Sequence, residues 1–253
     1  MIGRQIYYYQ EIDSTNVMAH RLAQEGSPEG SLLIAEYQTH GKGRLGRRWS
    51  AKKFDNILLS IILKPDIPAN KIHLLTLHAA TMIIESIRAF LSSEGLPKID
   101  LRVKWPNDVT INGKKIAGIL CESKIKGEKV DYVIAGIGIN LNQNFYNDSL
   151  ELRKSATSLM MESAHFIDRD LFLEIFLHYM DEHYLRAASE KFGSVIDNWK
   201  QYWDGQYTKI NMITNGAPIR VTVENILPDG KLLLKRDNGA SVAVTSGARL
   251  RWN

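Results

Sequence analysis

The chain has 253 residues, 44% of them hydrophobic, with a formal charge of +4 and a single cysteine. That length and apolar content can bury a full core, with room for one large domain and a small appended one, so disorder is excluded as the default. No run reaches the ~20 apolar residues of a membrane span, residues 1–10 lack a signal-peptide pattern, and Cys121 has no second cysteine for a disulfide and no His/Cys cluster for zinc, which together point to the cytoplasm.

After Tyr7-Tyr8-Tyr9, the cap-type residues Asp13-Ser14-Thr15-Asn16 precede Met18, Ala19, Leu22 and Ala23, whose spacing predicts a short amphipathic helix ending at Gly26 and Pro28. Residues 31–37 read as a strand, 38–50 as a glycine-rich loop, and 56–63 as a buried strand closed by Pro65. Lys42, Arg44, Arg47, Arg48, Lys52 and Lys53 crowd this loop and its exit; without them, acidic residues outnumber basic ones. The basicity is therefore local and favours a small anionic ligand over a nucleic-acid-coating surface, which would interleave more aromatics than Trp49 and Phe54. Residues 70–93 carry Ile72, Leu75, Ala79, Met82, Ile83, Ile87 and Leu91, the stripe of a long helix covering a sheet. Asn112-Gly113, between 108–111 and 115–123, is a two-residue hairpin signal, and a further strand over 130–141 follows the polar turn Lys126-Gly127-Glu128-Lys129. Consecutive hairpins imply an α+β fold with a mixed, largely antiparallel sheet, on which helices from 168 to about 203 pack. From Gly205 the texture changes: short alternating segments broken by Asn215-Gly216, Asp229-Gly230 and Asn238-Gly239 predict a small five-stranded barrel. The expected division is 1–205 and 206–253.

Three segments could carry chemistry. In Gly41-Lys42-Gly43-Arg44-Leu45-Gly46-Arg47, glycines would let backbone amides approach a ligand while the cations hold phosphate oxygens; a solvated basic loop has the same composition. No GxxxxGK[ST] motif is present and the loop leads into a strand, so neither the Walker nor the Rossmann arrangement applies. In Lys104-Trp105-Pro106-Asn107-Asp108 and Lys114-Lys115-Ile116-Ala117-Gly118, hairpin pairing brings Asp108 near Lys115. Strand alternation predicts that one lysine points to the covered face of the sheet, unless both form an exposed turn pair. In Gly136-Ile137-Gly138-Ile139-Asn140, the alternating glycines mark a bulge, a close approach to the backbone, or tight helix packing. The histidines form no HExxH, there is no GxSxG, and His178 and His183 read as ordinary surface or core residues.

Together with Ser14-Thr15-Asn16 and Ala35-Glu36-Tyr37-Gln38, these segments stand in the order and spacing of biotin–protein ligases, which the chain resembles closely over residues 11–142 and more loosely toward its C-terminus. The resemblance implies a mixed sheet with helices, followed by an SH3-like β-barrel. It also implies ATP and biotin as substrates, magnesium carried by the phosphates with no dedicated side-chain ligands, and a biotin carboxyl carrier protein domain as acceptor. An exposed sheet edge would serve carrier docking or homodimerisation. Carried over residue by residue, Arg44, Lys115 and Asp108 are catalytic. Biotin is contacted by Ser14, Thr15, Asn16, Gln38, Gly41, Lys42, Gly43, Arg44, Lys115 and Gly118, and the nucleotide by Arg44, Arg47, Trp49, Asn107, Lys115 and Asn140, with Trp49 as an apolar lid. Lys42 departs from the arginine usual in the family and loses the bidentate fork. Some members carry an N-terminal helix-turn-helix and repress transcription; with Ser14 so near the start, a ligase without DNA or membrane partners is expected. A lipoate–protein ligase-like activity, a non-catalytic biotin or nucleotide binder, and a nucleic-acid-binding protein are the alternatives.

Overall fold

The computed structural model describes residues 1–214, 216–247 and 250–252, and its first seven strands assemble into one mixed sheet. In chain order the elements are β1 (Ile6–Tyr9), α1 (Thr15–Gln24), β2 (Leu32–Ala35), β3 (Ile57–Leu63), α2 (His73–Ser93), β4 (Leu101–Lys104), β5 (Asp108–Ile111), β6 (Lys114–Lys126) and β7 (Lys129–Ile139). The strand order is β1-β2-β3-β7-β6-β5-β4, antiparallel throughout except for the β1–β2 pair. β1, which the sequence did not announce, is a short edge strand held by its backbone ladder to β2. The β5–β6 turn places Asn112 at φ 51° and Gly113 at φ 76°, the left-handed pair that a two-residue hairpin demands.

Residues paired across a ladder share a face. Register therefore puts Ser60, Gly136 and Leu120 on one face with Gly138, Gly118 and Asp108. α1 covers one end of this face, packing Ala19 and Ala23 against Leu33, Ile62, Tyr132 and Ile134. The opposite face, with Leu59, Ile61, Ile119, Ile137 and Ile139, joins the main core beneath α2. α2 is long and apolar enough to cross a membrane by composition, but 78% of that stretch is buried inside the protein, as a core helix must be.

The chain continues through α3 (Leu150–Ser155), α4 (Leu159–Ser163), α5 (Arg169–Ser189) and α6 (Val195–Lys200). α5 starts where the sequence predicts, with the Asp168 carboxylate accepting from the backbone N–H groups of Asp170 and Leu171. α3 and α4 are too short to show a period in the sequence; serine caps at Ser149 and Ser158 start them. β8 (Lys209–Thr214), β9 (Ala217–Ile226), β10 (Leu232–Arg236), β11 (Ser241–Val244) and β12 (Leu250–Arg251) form a five-stranded antiparallel sheet of order β11-β10-β9-β8-β12. Gly230 and Gly239 turn at φ 83° and 85°, whereas the Asn215-Gly216 turn includes Asn215, outside the described residues. The two sheets meet where the indole Nε1 of Trp105 donates to the Gly230 carbonyl at 3.1 Å.

Candidate active site

A cleft of about 50 Å³ opens on the α1 face, lined by Ser14, Thr15, Asn16 and Gln38 at one end and by Lys42, Gly43, Arg44, Trp49, Asn107 and Lys115 at the other. Its floor is the glycine window of β6 and β7. A Cβ on Gly136 would lie 2.0 Å from Asn16 Oδ1, one on Gly138 2.5 Å from Trp49 Cε2, and one on Gly118 2.7 Å from Lys115 Cε. Of the readings open for these glycines, close approach by other side chains is realised at all three, and at Gly136 it is also helix packing, because Asn16 belongs to the first turn of α1.

Lys115 corrects the strand-alternation argument. Strict alternation would put it with Ala117 and Ile119 under α2, but a bulge at the Val109/Thr110 step shifts the register, so Thr110 pairs with Lys115 while Asp108 pairs with Gly118. Lys115 therefore stands on the cleft face beside Gly118, and its Nζ lies 2.6 Å from Asp108 Oδ1. The side chains are 32% and 27% exposed, so this is neither a buried pair nor a freely solvated one. The backbone of Lys115 is fixed from behind: its carbonyl accepts from the N–H of Thr157 at 3.0 Å and from Asn140 Nδ2 at 3.5 Å. Asn140, expected at the nucleotide, is thus buried behind the cleft and outside its lining, giving Nδ2 also to the Thr157 carbonyl at 3.0 Å.

The glycine loop is a tight hairpin. Trp49 N donates to Gly41 O at 2.9 Å, Gly43 N to Arg47 O at 2.8 Å, and Lys42 bridges Arg48. A Cβ at Gly41 would meet the Trp49 carbonyl at 2.5 Å, so this glycine is required by the hairpin itself, and it does not line the cleft. Of the six clustered cations, Lys42 and Arg44 reach the cleft lining. Arg47 and Arg48 are exposed and outside that lining, Arg48 donating to the Thr39 carbonyl, while Lys52 donates to Asn144 O and Lys53 pairs with Glu11. The inward-turned Arg44 donates to Asn107 Oδ1 at 3.1 Å, and Asn107 is held by its Nδ2 donating to the Ile119 carbonyl at 2.9 Å. Burial draws the Arg44 pKa down and the Asp108 carboxylate opposes this; a guanidinium stays charged at neutral pH regardless.

Trp49 does not stand as a lid above the cleft. Its ring lies down on Gly118 and Gly138, with Lys115 Nζ 5.3 Å from the ring centre. Its Nε1–H and the Ser14 hydroxyl are buried there without partners among the described residues. With the ring in this position the cleft keeps about 50 Å³ of free space.

Several residues that hold the site were not singled out in the sequence. Ser60, fully buried in the apolar run of β3, touches both Thr15 and Asn16. Glu122 receives Asn16 Nδ2 at 2.8 Å. Glu36 accepts from Tyr8 at 2.9 Å and pairs with Arg169 at 2.7 Å, and Arg169 also donates to the Phe54 carbonyl, tying the start of α5 to the loop exit. A polar residue inside a buried apolar strand was the one available signal, and only for Ser60. Among the described residues no group of three or more His, Cys, Asp or Glu side chains could hold a metal, and the nearest carboxylates, Asp108 and Glu122, are taken by Lys115 and Asn16.

Residues 8–140 match the model of the biotin/lipoate A/B protein ligase family. Over 239 residues the chain is 35% identical to the bifunctional ligase/repressor BirA of Bacillus subtilis, covering 94% of this chain and 72% of that one. It is 30% identical to the biotin–[acetyl-CoA-carboxylase] ligase of Paracoccus denitrificans, covering 91% and 94%. In structure it is similar to the biotin protein ligase of Aquifex aeolicus in complex with biotin and ATP, with a TM-score of 0.77, 25% identity, and coverage of 99% and 100%.

Proposed function

The chain belongs to the biotin/lipoate A/B protein ligase family, and from that membership we propose that it is a biotin–protein ligase, activating biotin with ATP and passing it to a lysine of a biotin carboxyl carrier protein domain. The observation that carries this reading is one continuous cleft with a polar wall of Ser14, Thr15 and Gln38 at one end and the cations Arg44 and Lys115 at the other. A compact polar head group fits the first end, and a carboxylate meeting a phosphate fits the second. The Bacillus relative is a repressor as well as a ligase; repression is no part of this proposal.

A carboxylate is a poor electrophile until its oxygen becomes part of a leaving group. In the first step a biotin carboxylate oxygen bonds to the α-phosphorus of ATP and the bond to pyrophosphate breaks. Arg44 and Lys115 hold fixed positive charge where the oxygens gain negative charge, without reorganising water. Asp108 keeps the Lys115 ammonium aimed, and Asn107 does the same for Arg44. In the second step the carrier amine, having given up a proton, attacks the acyl carbon; the C–O bond breaks and AMP leaves. Asp108 is the acceptor placed to orient that amine and take its proton. Displaced from the glycine window, Trp49 is free to close on the nucleotide and exclude water from the hydrolysable adenylate. Among the described residues no group of carboxylates is arranged to hold magnesium, and an ion accompanying ATP would be carried by phosphate and water.

The five-stranded C-terminal sheet we read as an SH3-like barrel over 206–253. Of the two edges of the large sheet, β4 gives the N–H of Val103 to the Tyr202 carbonyl, and β1 is the edge we assign to carrier docking or to a homodimer; the cytoplasm is where such a carrier meets its ligase. The test is to incubate the protein with ATP, magnesium, a carrier domain, and either biotin or lipoate, and weigh the carrier. A mass gain of one biotinyl group is expected; no gain with biotin overturns the reading, and a gain with lipoate alone moves the chain to the lipoate branch.

A further inference from the structure

Behind the polar wall runs a chain of hydrogen bonds whose direction is fixed from one end. Glu122, on β6, is a carboxylate and can only accept; its Oε2 lies 2.8 Å from Asn16 Nδ2, which is also 3.3 Å from the Leu120 carbonyl. Two acceptors settle the Asn16 amide with its nitrogen toward β6, so Oδ1 must face Ser60, 2.7 Å from its hydroxyl oxygen. Ser60 has one proton to give, and Asn16 Oδ1 can only receive it. With that proton spent, the 2.8 Å contact between Ser60 Oγ and Thr15 Oγ1 is a hydrogen bond only when Thr15 donates, and the Thr15 proton otherwise goes to Gln38 Oε1. At the far end Gln38 Oε1 accepts from the Thr15 backbone N–H at 2.7 Å and lies 3.1 Å from the Thr15 hydroxyl, which leaves Nε2 as the group Gln38 can offer. Whichever wall atom receives it, the Thr15 proton is engaged away from the cleft. The cleft is left with an acceptor in Thr15, a donor in Gln38, and the unpartnered Ser14 hydroxyl, which can serve as either.

We propose that Glu122 and Ser60 are positioning residues for ligand recognition: acting through Asn16, they lock the Thr15 hydroxyl as a hydrogen-bond acceptor and thereby set the wall to read a group presenting N–H beside C=O, the signature of a cyclic urea. This rests on the proposed biotin reading and names what tunes its pocket. Asn16, Ser60 and Thr15 are all buried, which holds the direction of the chain. Gly136 is part of the device, since a Cβ there would occupy the place of Asn16 Oδ1. Glu122 is itself partly exposed at the rim, with His20 Nε2 3.8 Å from the same carboxylate oxygen, so it can be replaced without opening the core.

The experiment measures biotin and desthiobiotin dissociation constants by calorimetry on the full chain, with ATP measured separately. Glu122→Met removes the acceptor that fixes Asn16 and Ser60→Ala removes the relay; each should weaken both cyclic ureas about tenfold, the worth of one well-placed hydrogen bond, and leave the ATP constant unchanged. Glu122→Gln, whose amide oxygen can still accept from Asn16, should restore most of the affinity. Unchanged urea binding in Glu122→Met and Ser60→Ala, while the native chain binds biotin, overturns the inference alone. Equal losses for biotin and ATP, or no rescue by glutamine, show a merely structural role and overturn it too. A native chain that binds no biotin overturns the functional reading beneath it.

Discussion

Lys115 and Asp108 show how two side chains of ordinary type acquire different tasks from their placement. Their contact is 2.6 Å, and the side chains stay 32% and 27% exposed. A ligand phosphate entering beside Lys115 adds a second anion to the lysine's surroundings, which its three donors can accommodate. The two steps of the reaction should therefore separate by mutation. Lys115→Met is expected to lower adenylate formation by a factor on the order of 10² to 10³, the usual cost of losing a charge aimed at developing negative oxygens. Asp108→Asn should reduce transfer to the carrier by more than it reduces adenylation. Pyrophosphate release and single-turnover transfer from preformed adenylate measure the two steps, and equal effects of Asp108→Asn on both would remove its role toward the carrier amine.

At the scale of elements, the site depends on two neighbouring strands presenting almost no side chains to the cleft. Gly118, Gly136 and Gly138 lie on the same face of β6 and β7, and each is covered by a side chain: Gly118 by Trp49 and by Lys115 of its own strand, Gly136 by Asn16 and Gly138 by Trp49. Gly138→Ala would place a methyl carbon 2.5 Å from Trp49 Cε2, so the indole loses its seat and the space beneath a bound ligand shrinks. Adenylate formation should fall tenfold or more while the thermal midpoint moves little, since a loop side chain gives way more easily than a core; wild-type rates in this variant would show the window to be dispensable. The glycine loop itself was legible as a basic loop before a strand, but its inward and outward sides were not. Arg44 and Arg47 are equivalent by composition, and only the hairpin between Gly41 and Trp49, with Leu45 at φ 58°, sends one to Asn107 and the other to solvent. The bulge opposite Thr110 was equally hidden, because it is set by how β5 and β6 settle against each other and not by a residue that demands it.

Over the whole molecule, α2 packs against the large sheet, α5 and α6 and meets the C-terminal strands at the Gly230 turn, and one of its buried residues links the fold to pH. His78 is pushed down to about 4 by burial, with His183 and Arg186 adding like charge. Its pKa is thus depressed on folding from the ordinary ~6.5, so below that pH the unfolded chain binds a proton that the native state refuses. Stability should fall as pH drops from about 6.5 and level off near the folded value, a loss of up to about 3 kcal/mol from this group. Urea midpoints at pH 7 and pH 4.5 test this: His78→Gln should lose less between the two than the native chain, and equal losses would assign the pH dependence to other groups. The sequence by itself determined the long apolar helix, the hairpins with their Asn112-Gly113 turn, the alternating texture of the C-terminal strands and the motifs that mark the family, because spacing, turn chemistry and apolar periodicity are local properties of a chain. The tertiary structure alone decided which face Lys115 takes, that Asn140 braces the site from behind, that Trp49 lies on a floor of glycines, and that Glu122 and Ser60 stand behind the polar wall. Each of these depends on strands distant in sequence sharing a register, and no single segment encodes that.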